Sequence, residues 1–381
     1  MKDQVKEWLA SQEKQLIQLA ADLVNIDSNS YDQPGVMLVF ERLEQFFNGH
    51  DIPVQWHTHD GKRNAISVQL PGQVRDERPV LLMGHCDTVH PTGDAKTRPF
   101  SIEGFRGYGP GVADMKAGVA MNAFIVAAYK QLGGAPNPLY ALFTCDEEIG
   151  SPTSRTVIEA YARKATYVLN AEPGRPEGQV VTERRGGVFM EITVTGKAAH
   201  SGSNFTKGAS AIHELAKKIN RISALTDLDR GITVNIGLVS GGVSVNTVSP
   251  QAQCSVDLRI TNLEDRDRIV QRIESITQHC DVGGTHASLR IIGEFRPMQK
   301  TEQSMALFHL YQETAKEIGI DIQEFFAGGC ADSGITSSMG CATVCATGPV
   351  GGHTHTKEEY VELNTFVPRA QIAAAVIAQL D

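Results

Sequence analysis

Short apolar runs that end on acidic or histidine side chains constrain this chain more than any other feature. Val80-Leu81-Leu82-Met83, Leu139-Tyr140-Ala141-Leu142-Phe143 and Tyr167-Val168-Leu169 alternate with longer helical stretches, among them residues 116–132. Runs of this length bounded by polar turns read as buried strands. Their alternation with helices predicts an α/β fold, a mixed sheet flanked by helices. His85-Cys86-Asp87, Asp146-Glu147-Glu148 and Glu172 each come directly after such a run. In open α/β sheets, sites assemble at the carboxyl ends of strands. Ahead of these runs, Val5, Trp8, Leu9, Leu16, Leu19 and Leu23 fall at helical spacings and predict one amphipathic N-terminal helix.

The texture changes near residue 182. Residues 188–194, 233–238, 253–260 and 288–292 read as strands, and residues 209–222 and 264–278 as helices. Strand–helix–strand–strand–helix–strand describes an α+β unit of the split βαβ kind. Helical texture returns at residues 308–318 and 368–380. A chain of 381 residues exceeds one ordinary core. The expected organisation is therefore a first domain made of residues 1–181 and 293–381, interrupted by an inserted α+β domain at residues 182–292.

Charge narrows the partners. A net charge of −9 argues against nucleic acid or an anionic membrane, which call for a basic surface. No run approaches the roughly 18 consecutive apolar residues of a membrane span, and Met1-Lys2-Asp3-Gln4 opens no secretory signal. The seven cysteines are scattered, with no Cys-x-x-Cys pair. That pattern fits a reducing compartment, so a cytoplasmic location is expected.

Several motifs carry metal-capable chemistry. In His85-Cys86-Asp87, an imidazole can bind a metal while a nearby carboxylate accepts its other ring N–H; a lone histidine beside a strand is more often structural. Gly107-Tyr108-Gly109-Pro110-Gly111-Val112-Ala113-Asp114-Met115-Lys116 leads into a helix but lacks the phosphate-loop ending. Its Asp114 can offer one oxygen to each of two metals, or simply cap the helix. Asp146-Glu147-Glu148 sets three carboxylates after an apolar strand, a costly arrangement unless they are exposed or paired with cations. One could bind metal while its neighbour abstracts a proton from water, although a solvated acidic loop has the same composition. Glu172 adds another carboxylate at a strand end, and Gly351-Gly352-His353-Thr354-His355 adds two histidines in a loop. Position alone does not choose between those histidines.

The order of these motifs resembles the zinc peptidase family that contains glutamate carboxypeptidase, aminoacylase, acetylornithine deacetylase and succinyl-diaminopimelate desuccinylase. The resemblance runs from about residue 10 to the C-terminus. It implies two zinc ions, with cobalt or manganese as substitutes. Asp114 would bridge them, His85 and Glu172 completing one ion's ligands, Glu148 and His355 the other's. His355 is favoured over His353 because Glu359 completes the family's His-Ser/Thr-x-x-Glu continuation. Asp87 would orient His85. Glu147 would be the general base, taking the proton of a water shared by the metals.

The insertion resembles the family's lid, or dimerisation, domain, which implies a homodimer. Ala198-Ala199-His200-Ser201-Gly202 is similar to the motif whose histidine stabilises the oxyanion in a partner's site. Asn246 and Arg259 match lid positions that contact a substrate carboxylate, and arginine's planar fork suits that task. Arg296 is a further candidate. Gly329 lies in Gly328-Gly329-Cys330-Ala331-Asp332, similar to the family's Gly-Gly-x-Ser-Asp loop but with Ala331 where serine is common.

Details such as Phe295-Arg296-Pro297 look most like the glutamate carboxypeptidase branch. The implied substrate is a small peptide or N-acyl amino acid, cut at an amide beside a free carboxylate. An N-acyl-amino-acid deacylase is the alternative, and a non-catalytic metal- or peptide-binding protein the second. Glu147 argues against the latter. No Gly-x-Ser-x-Gly elbow points to a serine hydrolase.

Overall fold

The apolar runs become neighbouring parallel strands in the computed structural model, which describes residues 1–74 and 78–380. Val80–His85 lies between Leu139–Thr144 and Tyr167–Asn170, and Ala342–Cys345 continues the parallel set. In register, His85 pairs with Thr144 and Met83 with Asn170. The residues following these three strands therefore emerge on one edge. Val54–His59 and Lys62–Leu70 extend the sheet antiparallel on one side, and Val180–Arg184 and Glu324–Ala327 complete the eight strands on the other. The sheet is mixed and covered by helices.

Behind the metal-capable edge runs the helix Ala117–Gln131, with every side chain from Ala117 to Tyr129 buried. Val112–Gln131 is long and apolar enough to cross a membrane by length and composition, with mean hydropathy 1.2, but 94% of that stretch is buried inside the protein. Gly118 faces the main chain that leads to Glu172: a Cβ there would stand 1.9 Å from the Ala171 carbonyl oxygen. A small sheet of Gly351–Gly352, Tyr360–Glu362, Arg106–Tyr108 and Ser101–Glu103 lays the Gly-rich loop beside the His355 segment.

The chain divides into two compact units. One is Met1–Glu183 with Gln299–Ala327 and Ala331–Asp381; the other is Arg184–Met298 with Gly328–Cys330. The second has a four-stranded antiparallel sheet in the order Thr233–Gly241, Gln251–Ile260, Gly186–Thr195, His286–Phe295. Alternate residues Val188, Met190, Ile192 and Val194 point inward, as a sheet with one covered face requires. The helices Ala211–Ser223 and Leu263–Gln278 start at side-chain caps from Ser210 and Asn262. This is the α+β pattern read from the sequence.

Two details differ from that reading. The N-terminal helix is two helices, Lys2–Ser11 and Glu13–Val24, parted at Gln12, where φ is −102° and ψ 8°. The break brings Leu9 and Leu16 into one core, a fit that apolar spacing does not encode. The last strand of the inserted unit runs to Phe295, and the unit itself to Met298, because Arg184 and Met298 exchange main-chain hydrogen bonds at 2.9 and 3.1 Å.

Candidate metal centre

Strand ends deliver most of the first unit's candidate side chains. His85 closes its strand, Glu147 and Glu148 form a short turn after Leu139–Thr144, and Glu172 stands two residues beyond Asn170. Asp114 comes from the tight turn Val112–Lys116 that opens the buried helix. His355 reaches in from the loop before Tyr360–Glu362, with a left-handed φ of 64°. A non-glycine residue held there costs on the order of 1–3 kcal/mol, and such strain clusters at functional sites.

Asp114 stands between the two histidines. Its Oδ1 lies 3.1 Å from His85 Nε2, and its Oδ2 lies 3.4 Å from His355 Nε2. His355 Nε2 is also 3.2 Å from Glu148 Oε2. Glu172 Oε1 and Glu147 Oε2 lie 3.8 and 4.0 Å from His85 Nε2. Ligand-capable atoms of His85, Asp114 and Glu148 fall within 4.8 Å of one another, as do those of His85, Glu147 and Glu172. His353 is not in this group; its ring sits edge-on to Tyr360, with centroids 5.5 Å apart.

Asp87 acts in two ways. His85 Nδ1 is 3.0 Å from the Asp87 main-chain carbonyl and 3.4 Å from its carboxylate. The carboxylate also accepts the main-chain N–H of Glu147 and of Glu148, each at 3.1 Å, and the Ser30 hydroxyl at 2.6 Å. Two further carboxylates support the centre. Buried Asp332 accepts the hydroxyl of Ser151, just beyond the Glu147–Ile149 turn. Glu359, fully buried, accepts three main-chain N–H groups of the Gly111–Asp114 loop. Sequence reading gave these two no role. The only signal for Glu359 was its spacing from His355.

The electrostatics show a cluster short of positive charge. Burial raises Glu147 well above the usual carboxylate range against the pull of His85, with Glu172 adding to the rise. Burial and the Asp114 charge push Glu148 up to about 7. Hydrogen bonds to Asp114 and Glu148 push His355 up to about 10. Burial works against the His85 imidazolium, but hydrogen bonds to Asp114 and Asp87 outweigh it and raise its pKa. Burial likewise opposes ionisation of Asp114, yet the two histidines hold it well below the usual range. Glu148 Oε1 is buried with no hydrogen-bond partner among the described residues. A divalent cation fits each observation: it would satisfy the orphaned oxygen and replace shared protons among oxygen and imidazole donors.

The second unit's candidates are arranged among themselves. His200 is exposed, and its Nδ1 accepts the N–H of Gly202 and Ser203 at 3.1 and 3.3 Å. The neutral ring then carries its proton on Nε2. The Asn246 main-chain carbonyl accepts the Ser201 N–H at 2.9 Å, which places Asn246 beside the His200 loop. Arg259 is fixed by Asp257, with Nε to Oδ1 at 2.8 Å, and by Cys330 Sγ at 2.9 Å from Nη1. The Gly329 carbonyl accepts from Arg184 at 3.2 Å. Arg296 is half-buried on the segment after the last strand.

The description "Peptidase family M20/M25/M40" matches residues 81–379. Carboxypeptidase G2 of Pseudomonas sp. (strain RS-16) is 26% identical, covering 96% of this chain and 89% of its own length. Succinyl-diaminopimelate desuccinylase of Psychrobacter sp. (strain PRwf-1) is 27% identical, with 97% and 96% covered. Among solved structures, the M20 metallo-carboxypeptidase Sso-CP2 of Sulfolobus solfataricus superimposes with a TM-score of 0.75 at 16% identity, over 95% of this chain and 98% of that one. The match along most of the chain, over a fold that gathers acids and histidines at its strand ends, identifies a metal-dependent hydrolase of the metallopeptidase type that belongs to peptidase family M20/M25/M40.

Proposed function

We propose that this chain cleaves an amide or peptide bond beside a free carboxylate, releasing C-terminal glutamate or a similar residue. The observation that carries the reading is Asp114, whose two oxygens face His85 and His355 separately, with Glu147 and Glu148 alongside. His85, Glu172 and Asp114 would hold one divalent ion, and Glu148, His355 and Asp114 a second; zinc suits this donor set. Ions held there supply Lewis acidity and make hydroxide available near neutral pH.

The chain's own groups do the rest. Glu147 takes a proton from the attacking water and returns it to the departing amine nitrogen. Its raised pKa, caused by burial among other acids, suits a group that must both accept and give back a proton. Asp87 holds the Glu147–Glu148 turn and His85 together. His200, with Nε2 as its donor nitrogen, would stabilise the oxyanion in the other subunit's site of a homodimer. Arg259, its guanidinium fixed by Asp257 and Cys330, would bind the substrate carboxylate, with Asn246, Arg296 and Gly329 as further substrate-binding candidates.

Similarity to carboxypeptidase G2 supports the carboxypeptidase branch. Similarity to a desuccinylase over nearly the same length supports a second reading, an N-acyl-amino-acid deacylase using the same groups. We also propose a homodimer. Thr233–Gly241 is an outer strand, and Leu238 and Val239 are exposed on it; an unpaired, apolar edge favours pairing with another chain. A cytoplasmic location is in keeping with seven free cysteines.

Hydrolysis of a panel by zinc-loaded protein tests the reading: peptides ending in glutamate, N-acyl-glutamate, N-acetylornithine and simple dipeptides, each with a chelated control. Chelator-sensitive release of C-terminal glutamate is expected. Turnover restricted to N-acylated amino acids would transfer the assignment to the deacylase.

A further inference from the structure

Resting on the metal-centre reading, we infer that Glu359 is a positioning residue that keeps three ligand-bearing segments in register. Its Oε1 accepts the N–H of Ala113 at 2.8 Å and of Asp114 at 2.9 Å. Its Oε2 accepts the N–H of Gly111 at 3.1 Å and faces His90 Nε2 at 2.6 Å. One fully buried carboxylate thus fills a nest of main-chain donors. His90 lies five residues after His85, and Glu359 four residues after His355. The same side chain therefore joins the segments that carry His85, Asp114 and His355.

The packing around the loop leaves little freedom to compensate for its loss. Gly111 has a left-handed φ of 71°, and a Cβ there would stand 2.3 Å from Thr88 Cγ2. A Cβ on Gly351 would meet the Ala113 Cβ at 2.6 Å. The Gly111–Asp114 loop is pressed between the continuation of the His85 strand and the His355 segment, and Glu359 supplies the hydrogen bonds that fix its height between them. Glutamine is nearly isosteric but has one acceptor oxygen. Its amide would keep the Ala113 and Asp114 bonds and turn N–H groups toward the Gly111 N–H.

Zinc affinity of purified protein, measured by chelator competition, tests this independently of turnover, with far-UV circular dichroism and melting of the metal-free chain alongside. Partners of this kind change metal affinity by roughly 10–100-fold when removed. Glu359→Gln is expected to raise the zinc Kd by about that factor while the metal-free chain keeps its helical signal. His90→Ala should raise Kd as well, and His90→Gln, which restores a donor toward Glu359, should recover part of the loss. A lower melting temperature with unchanged Kd in Glu359→Gln would mean a merely structural role and overturn the inference. Should Glu359→Gln fail to fold, His90→Ala decides: unchanged Kd there overturns it. Wild-type protein that takes up no divalent metal would overturn the metal-centre reading and this inference together; normal wild-type uptake with unaffected variants overturns this inference alone.

Discussion

Asp87 carries Glu147 by its main chain: the Glu147 N–H meets Asp87 Oδ1 at 3.1 Å, while Asp87's own carbonyl faces His85 Nδ1 at 3.0 Å. One residue therefore sets both the orientation of a proposed ligand and the position of the proposed base. Asp87→Ala should lower zinc affinity and kcat/KM, each by roughly 10–100-fold. Asp87→Asn, which keeps one acceptor oxygen, should fall between. Wild-type affinity and kinetics in Asp87→Ala would remove its carboxylate from the mechanism, since the main-chain carbonyl beside His85 is unchanged in that variant.

Glu147 lies near His85 and Glu172 as a ligand would, so its role needs a direct test. Glu147→Gln should bind metal normally and lose roughly 10²–10⁴-fold in turnover, the usual contribution of a positioned acid–base group. Metal analysis of the variant separates the roles. Loss of one ion in parallel with activity would make Glu147 a ligand.

The metal-free protein should grow less stable as pH rises. Glu148, at about 7 rather than 4.5, suffers a penalty that is absent below about pH 4.5 and complete above about 7. His355, at about 10 rather than 6.5, contributes stability that is full below about pH 6.5 and lost by about 10. Both groups hold more protons folded than unfolded, so the effects run in one direction. Bound zinc takes the place of those protons. The difference in melting temperature between zinc-loaded and chelated protein should therefore widen from about pH 5 to about pH 9. A constant difference would show that protonation of this cluster is not what zinc replaces.

Gly118→Ala should destabilise the chain, against the usual sign. Within a helix, alanine is ordinarily better than glycine, by up to about 1 kcal/mol in the interior, and Gly118 stands in the first turn. Here the new Cβ would fall 1.9 Å from the Ala171 carbonyl oxygen, and backbone cannot yield as a side chain does. Forcing an atom into a packed interior costs about 1–3 kcal/mol. Thermal unfolding should show a lower midpoint, with weaker zinc binding because the displaced segment leads to Glu172. A raised midpoint would mean the helix shifts freely.

Much of the frame was legible because strand ends announce themselves. Leu139–Thr144 is apolar until the sheet ends, and its acids begin where solvent or cations become available. The inserted unit was legible for a similar reason: Val188, Met190, Ile192 and Val194 alternate as a sheet with one covered face must. Gln12 carries no such mark, since the break there answers to how two helices meet the core. At the candidate site, residue type made His85, Asp114, Glu147, Glu148, Glu172 and His355 candidates. Their convergence depends on parallel register and on a loop folded back over more than 200 residues of chain, and neither leaves a local signature. Position alone does not part His353 from His355; the resemblance favoured His355 through Glu359, and the turn sends its ring to Asp114 and that of His353 to Tyr360. Glu359 was marked only by its spacing from His355; its bonding role was not legible, because a buried acceptor of main-chain N–H groups is defined by its donors, which lie far away in the chain.

The helix Ala117–Gln131 has almost no wet side, and that bears on how the Asp114 loop can move. A helix with a solvent face can fray or tilt at small cost, but this one exposes its amides only when the surrounding core opens. In hydrogen exchange, such an element reports the stability of the whole cooperative unit. The loop ahead of it is thus anchored to an element buried on every side. Motion during turnover would then be borne by the His353–Glu358 segment, where His355 is still half-exposed, and not by Asp114.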